Sequence, residues 1–150
     1  MRLIVLILFL SLVLAQPDWE DTPNAYEFTA TMTSAVYDED GSILGDYGDI
    51  LAAFDIDGNV RGISTLLPWY ETDDSVHAII IRSNTASGEE IIFQYYDASL
   101  DIVLNIQESY SFVNGDIMGN QLVPHELHIG SGEEECVDDD AAVAPFDCAS

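Results

Sequence analysis

Between Tyr26 and Ile129 the apolar positions recur every second residue rather than every third or fourth. In "AYEFTATMTSAVY", Tyr26, Phe28, Ala30, Met32 and Val36 fall on one side, with Glu27, Thr29, Thr31 and Thr33 on the other. Threonine and aromatic residues suit a pleated, half-buried surface, so this segment predicts a strand with one wet face. "DILAAFDI" sets Ile50, Ala52, Phe54 and Ile56 against Leu51, Ala53 and Asp55, which directs Phe54 into the core. "NVRGISTL" follows within two residues, and Asp57-Gly58 reads as the type I′ turn of a hairpin. "VHAIIIRS", "EEIIFQYYD", "DIVLNIQ", "SYSFV" and "DIMGNQLV" continue the series, separated by "NTASGE", Asn114-Gly115 and Pro124. The unbroken run Ala78–Ile81 marks a strand buried on both faces or central in a sheet. No stretch carries a long helical period. The pattern predicts an all-β chain, an antiparallel β-sandwich of about eight or nine strands, uneven in length and so not a closed barrel.

Both flanks depart from this pattern. "MRLIVLILFLSLVLAQ" has one Arg and an apolar run from Leu3 to Val13 broken only by Ser11, with Val13 and Ala15 before Gln16. That is the form of a secretory signal peptide over 1–15, too short to span a bilayer comfortably. It implies a secreted, extracellular protein whose β-sandwich domain occupies 16–129. From 130 to 150, seven acids with small residues make an acidic linker and a partial cysteine-containing tail. Cys136 and Cys148 are the two cysteines, and a disulfide between them closes a short loop without stapling the main domain.

Charge then narrows the partners. Without Arg2, Arg61 and Arg82 stand against 28 acidic residues, a formal charge of −26, and lysine is absent. Such a surface repels nucleic acid and anionic membranes, and has few cations to receive a polyanion. Lysine's absence excludes Schiff-base amines and a phosphate-cradling Lys. With 48% hydrophobic residues the chain nonetheless has the material for a core.

Candidate chemistry is sparse. "DIDGN" fails as an EF-hand: counted from Asp55, Gly58 falls at position 4 and Leu66 at position 12. Asp55 and Asp57 could still hold calcium together with Asp46 or Asp49 and backbone carbonyls. Arg61, isolated in an acidic chain, reads first as the partner of an acid and second as a ligand contact; Gly62 beside it admits a close backbone or ligand. Trp69 and Tyr70, in "LLPWYETDD", are the candidates for stacking on a sugar ring, with nearby acids accepting its hydroxyl hydrogens. "HELH" at His125–His128 has a spacing of three, which on a strand points the two histidines to opposite faces, so no zinc site is expected. No nucleophile elbow, phosphate loop or catalytic cysteine is present.

Taken together, Trp19, the long segment Tyr26–Val36, "DILAAFDIDGNVRG" over Asp49–Gly62, "GEEIIFQYYDA" over Gly88–Ala98 and the closing Gly119–Pro124 form one pattern. It resembles a β-sandwich repeat module of secreted and surface proteins from marine bacteria and protists. The tail "CVDDDAAVAPFDC" is similar to the start of a short cysteine motif in secreted protist proteins. The resemblance implies an extracellular β module of multidomain surface or adhesive proteins and supplies no catalytic residue. The expected function is a non-catalytic adhesion, matrix or surface-assembly module that binds a polysaccharide or protein neighbour, with self-association through strand edges as a further mode. The alternative is a calcium-dependent carbohydrate-binding domain of a secreted hydrolase.

Overall fold

The computed structural model describes residues 16–69 and 72–130. The proposed signal peptide, Tyr70, Cys136 and Cys148 lie outside these residues. Two sheets pack face to face into a β-sandwich. The strands are β1 (Phe28–Tyr37), β2 (Ile43–Leu44), β3 (Ile50–Asp55), β4 (Val60–Ile63), β5 (Thr65–Pro68), β6 (Ser75–Ser83), β7 (Ser87–Asp97), β8 (Ile102–Val113), β9 (Ile117–Met118) and β10 (His125–His128). A short 3₁₀ turn at Pro23–Ala25 precedes them. Ten strands rather than eight or nine arise because β2 is too short to register as a period, "NVRGISTL" divides into β4 and β5 and "HELH" forms β10, while "DIVLNIQ" and "SYSFV" join into the single strand β8. No helix among the described residues is long and apolar enough to cross a membrane.

One sheet runs β10-β1-β6-β5, with β2 and β9 also pairing with β1; the other runs β4-β3-β7-β8. Most pairs are antiparallel, but β9 and β10 lie parallel to β1. The core sits between the sheets, with Ala30, Met32, Val36, Ile79 and Ile81 from one and Leu51, Ala53, Ile91, Phe93 and Tyr95 from the other. The alternation along β1 therefore reads correctly. Along β3 it reads in reverse: Leu51 and Ala53 face the other sheet, while Phe54 pairs with Ile92 on the outer face. Phe54 is still buried, because the segment before β1 crosses that face and sets Trp19 edge-on against it, ring centroids 5.3 Å apart. Asp21 and Tyr26 fasten the same strap, through Arg82 and through the Val60 carbonyl.

The β3–β4 turn also differs from expectation. Phe54 pairs with Val60 and the Asp55 N–H donates to the Asn59 carbonyl, so the loop is the three residues Ile56–Gly58. Gly58 supplies the positive φ of +84°. Asp55 Oδ1 accepts the N–H groups of Asp57 and Asn59, which holds the turn from inside. "DEDGS" repeats the device: Asp38 Oδ1 accepts from Asp40 and Ser42, and Gly41 has φ +81°. At the β8–β9 turn, Gly115 lies at φ +78° and donates its N–H to the Thr29 carbonyl over 2.7 Å.

β4 and β5 are one run of chain that changes sheets at Ser64. There the Ser64 N–H donates to the Leu51 carbonyl and its Oγ accepts the Leu51 N–H. Two residues earlier Gly62 lies against β6, where a side chain would collide with the Ile80 carbonyl. The close approach expected at Gly62 is thus made by backbone.

Candidate functional site

Alternation along β1 and β6 puts Thr29, Thr31 and Thr33 on the solvent side of their sheet, beside Arg82, Ile80 and Ala78 respectively. Thr65 of β5 stands on the other side of Ala78. The result is an open groove of about 350 Å³. β6 runs down its middle with Ala78, Ile80 and Arg82; Thr31 and Thr33 line one side, Thr65 and Ile63 the other. Asp21 on the strap also lines it, and Arg82 Nη1 donates to both Asp21 oxygens, at 2.7 and 2.6 Å. The groove thus offers three hydroxyls that can donate or accept, aliphatic surface between them, and a cation already neutralised. Its lining includes no histidine, no cysteine and no unpaired carboxylate.

The residues picked out in the sequence are dispersed. Arg61 is held rather than presented: Nη2 donates to Asp55 Oδ2 at 2.9 Å and to Glu89 Oε1 at 2.5 Å, and the guanidinium lies over the Tyr26 ring at 4.6 Å. For Asp55, burial opposes ionisation, but the Asn59 side chain and backbone, Arg61 and the Asp57 N–H together outweigh it, leaving the carboxyl below the usual range. Asp57, in the middle of the turn, is exposed. Asp49 sits at the opposite end of β3, about 20 Å away by strand rise. Its Oδ2 accepts from the Tyr95 hydroxyl at 2.5 Å and the Asp46 N–H at 2.8 Å, and Oδ1 from the Ala98 N–H at 2.9 Å. Burial, and then this bond to Asp49, push the Tyr95 phenol far up. Asp46 is instead near Asp73 and Asp74, around a small polar hollow. Asp46 and Asp49 are therefore brought together, and Asp55 with Asp57, but the two pairs are kept apart. No group of three His, Cys, Asp or Glu side chains converges as a metal site among the described residues.

Trp69 opens the β5–β6 turn, its N–H donating to the Asp74 carbonyl at 3.0 Å. It follows the last residue of β5, does not line the groove, and its indole Nε1 is buried without a partner among the described residues. It is half-buried, not fully displayed. Among the described residues the fully exposed aromatic is Tyr47, in a loop between Gly45 and Gly48, beside a second hollow shared with Ile50, Tyr96 and Ala98. Sequence reasoning passed over Tyr47; an aromatic framed by glycines and aspartates in "GDYGD" was the available signal. Of the histidines in "HELH", His128 Nδ1 meets Glu108 Oε1 at 2.7 Å and its ring stacks on Tyr37, while His125 is exposed. Comparison with family models, with curated proteins and with solved structures found no match.

Proposed function

We propose that this protein is a non-catalytic extracellular module of the adhesion or matrix type, and that the groove on the β1-β6-β5 face seats a neutral polysaccharide. The observation that supports this reading is the groove's lining: threonine hydroxyls spaced along β1 and β5, aliphatic surface between them, and no free charge. Sugar rings present the same alternation of hydroxyls and apolar C–H faces. A charge of −26 disfavours acidic glycans on a surface already strongly negative. Trp69, just past the end of β5, is the residue proposed to extend contact beyond the groove.

A glycan array tests the reading with two variants. Thr33→Val and Thr65→Val in one chain keep the shape and remove two hydroxyls. We expect neutral β-glycan binding to weaken about tenfold to hundredfold, the effect of losing two polar contacts at roughly 1 kcal/mol each. Equal binding by the variant and the native chain would dismiss the groove as the site. Trp69→Ala is expected to weaken long chains more than short ones.

Because the two aspartate pairs lie at opposite ends of β3, millimolar calcium is expected to leave the melting temperature unchanged within about 1 °C. A rise of several degrees in a thermal melt, reversed by chelator, would instead favour the calcium-dependent alternative.

A further inference from the structure

We propose that His77 is an acid-sensitive pin for the β5 side of the groove: neutral, it holds the sheet-changing residue Ser64 against β6, and protonated, it lets β5 detach. The release of a ligand rests on the groove reading above; the opening of β5 does not.

The pin is built from three elements. His77 is fully buried on the inner face of β6, with Ser34 of β1 and Leu66 of β5 as its cross-strand neighbours. Its Nδ1 lies 3.1 Å from Ser64 Oγ. That Oγ already accepts the Leu51 N–H at 2.9 Å, so its own proton is free to reach Nδ1, and the chain from Leu51 through Ser64 to His77 ties one sheet to the other. The ring stands edge-on to Tyr95, centroids 5.5 Å apart, and Nε2 has no partner among the described residues. His77 and Ser64 immediately precede Ala78 and Thr65, which line the groove. The pin therefore lies directly beneath it.

Protonation adds a proton at Nδ1, which then no longer accepts from Ser64, and puts a charge on a buried ring whose Nε2–H has no acceptor among the described residues. Asp49 and Tyr95 are the titratable groups that bear on the ring; Ser34 and Leu66 carry no charge. Burial disfavours the imidazolium more than the Asp49 charge favours it, and the imidazole is pushed down to about 4 from 6.5. The sign follows from linkage. Between about pH 6.5 and 4 the open form takes up a proton that the closed form refuses, so closure weakens as pH falls through that window. Asp55 and Glu108 respond elsewhere: both carboxyls are lowered, and their contributions are lost below the ordinary carboxylate range. β5 is the element able to respond, being four residues long, partly exposed and ended by Pro68.

Hydrogen exchange of the intact protein at pH 7.5 and pH 5, corrected for intrinsic rates, tests the pin. In the native chain the opening equilibrium reported by the β5 amides is expected to rise about 30-fold at pH 5, as the two pKa values require. In His77→Gln, whose side chain can still bond Ser64 but does not titrate, it is expected to change less than about threefold. An equal rise in both chains, or one shared equally by β7, would overturn the proposal. Should His77→Gln fail to fold, an NMR titration of the native His77 ring decides: a midpoint near 4 supports the pin, and one near 6.5 overturns it. Absence of glycan binding at both pH values rejects the groove reading alone, because the exchange measurement needs no ligand.

Discussion

Asp49→Ala is expected to destabilise the fold by about 3 kcal/mol, seen as a fall in melting temperature of roughly 10–15 °C. Asp49 is the single acceptor for three donors drawn from three places: the Tyr95 hydroxyl in the core, the Asp46 N–H of its own loop and the Ala98 N–H of the β7–β8 turn. Alanine leaves all three without it. The hydroxyl is the costly one, because Tyr95 is fully buried and cannot turn to water. Asp49→Asn should cost about half as much, since an amide oxygen retains part of the bonding but not the charge. Tyr95→Phe made in the Asp49→Ala background should cost less than in the native chain, because the stranded hydroxyl is already a liability there. Chemical denaturation of the four chains checks the cycle. A loss below 1 kcal/mol for Asp49→Ala would show that water replaces the carboxylate and that the loop is held by other contacts.

Gly62→Ala is the second large effect, with an expected loss of about 3 kcal/mol. The cause is space, not torsion. Gly62 has no positive φ, but a Cβ there would stand 2.3 Å from the Ile80 carbonyl oxygen, and neither backbone can yield without separating β4 from β6. Gly58→Ala is the matching control. Nothing lies within 4 Å of a Cβ at Gly58, yet its φ is +84°, so its cost is the left-handed backbone alone, about 1–2 kcal/mol. Equal losses for the two variants in a denaturant titration would contradict the claim that the sheets touch at Gly62.

These two positions show where the sequence was readable. β1 was, because one of its faces is dry and the other wet, so alternation carries the orientation of Ala30, Met32 and Val36. β3 was not. Ala52 and Phe54 are as buried as Leu51 and Ala53, since Trp19 arrives from more than thirty residues upstream to cover the outer side. A strand dry on both faces has no alternation to read. Ile80 shows the converse: "AIII" suggested a strand buried on both faces or central in a sheet, and β6 is interior to its sheet but not dry on both faces, Ile80 being 46% exposed on the groove side. The groove itself had no local signature, because its threonines come from β1 and β5 and its closing ion pair joins residues 61 positions apart. Arg61 was legible as an ion-pair partner from charge scarcity alone, although not that it would bridge two carboxylates.

The turn at Asn114-Gly115 bears on how the molecule ages. An Asn followed by Gly is the dipeptide most prone to lose its side-chain amide, through attack by the glycine nitrogen on the asparagine carbonyl carbon and formation of a succinimide. Here that nitrogen donates to Thr29 across 2.7 Å, and the Gly41 and Gly58 nitrogens, each following an aspartate, are engaged with Asp38 and Asp55 in the same way. Each nucleophile is withheld for as long as its turn stays closed. Deamidation at Asn114 then accumulates in proportion to time spent open, which makes it a chemical record of the folding history of an individual molecule.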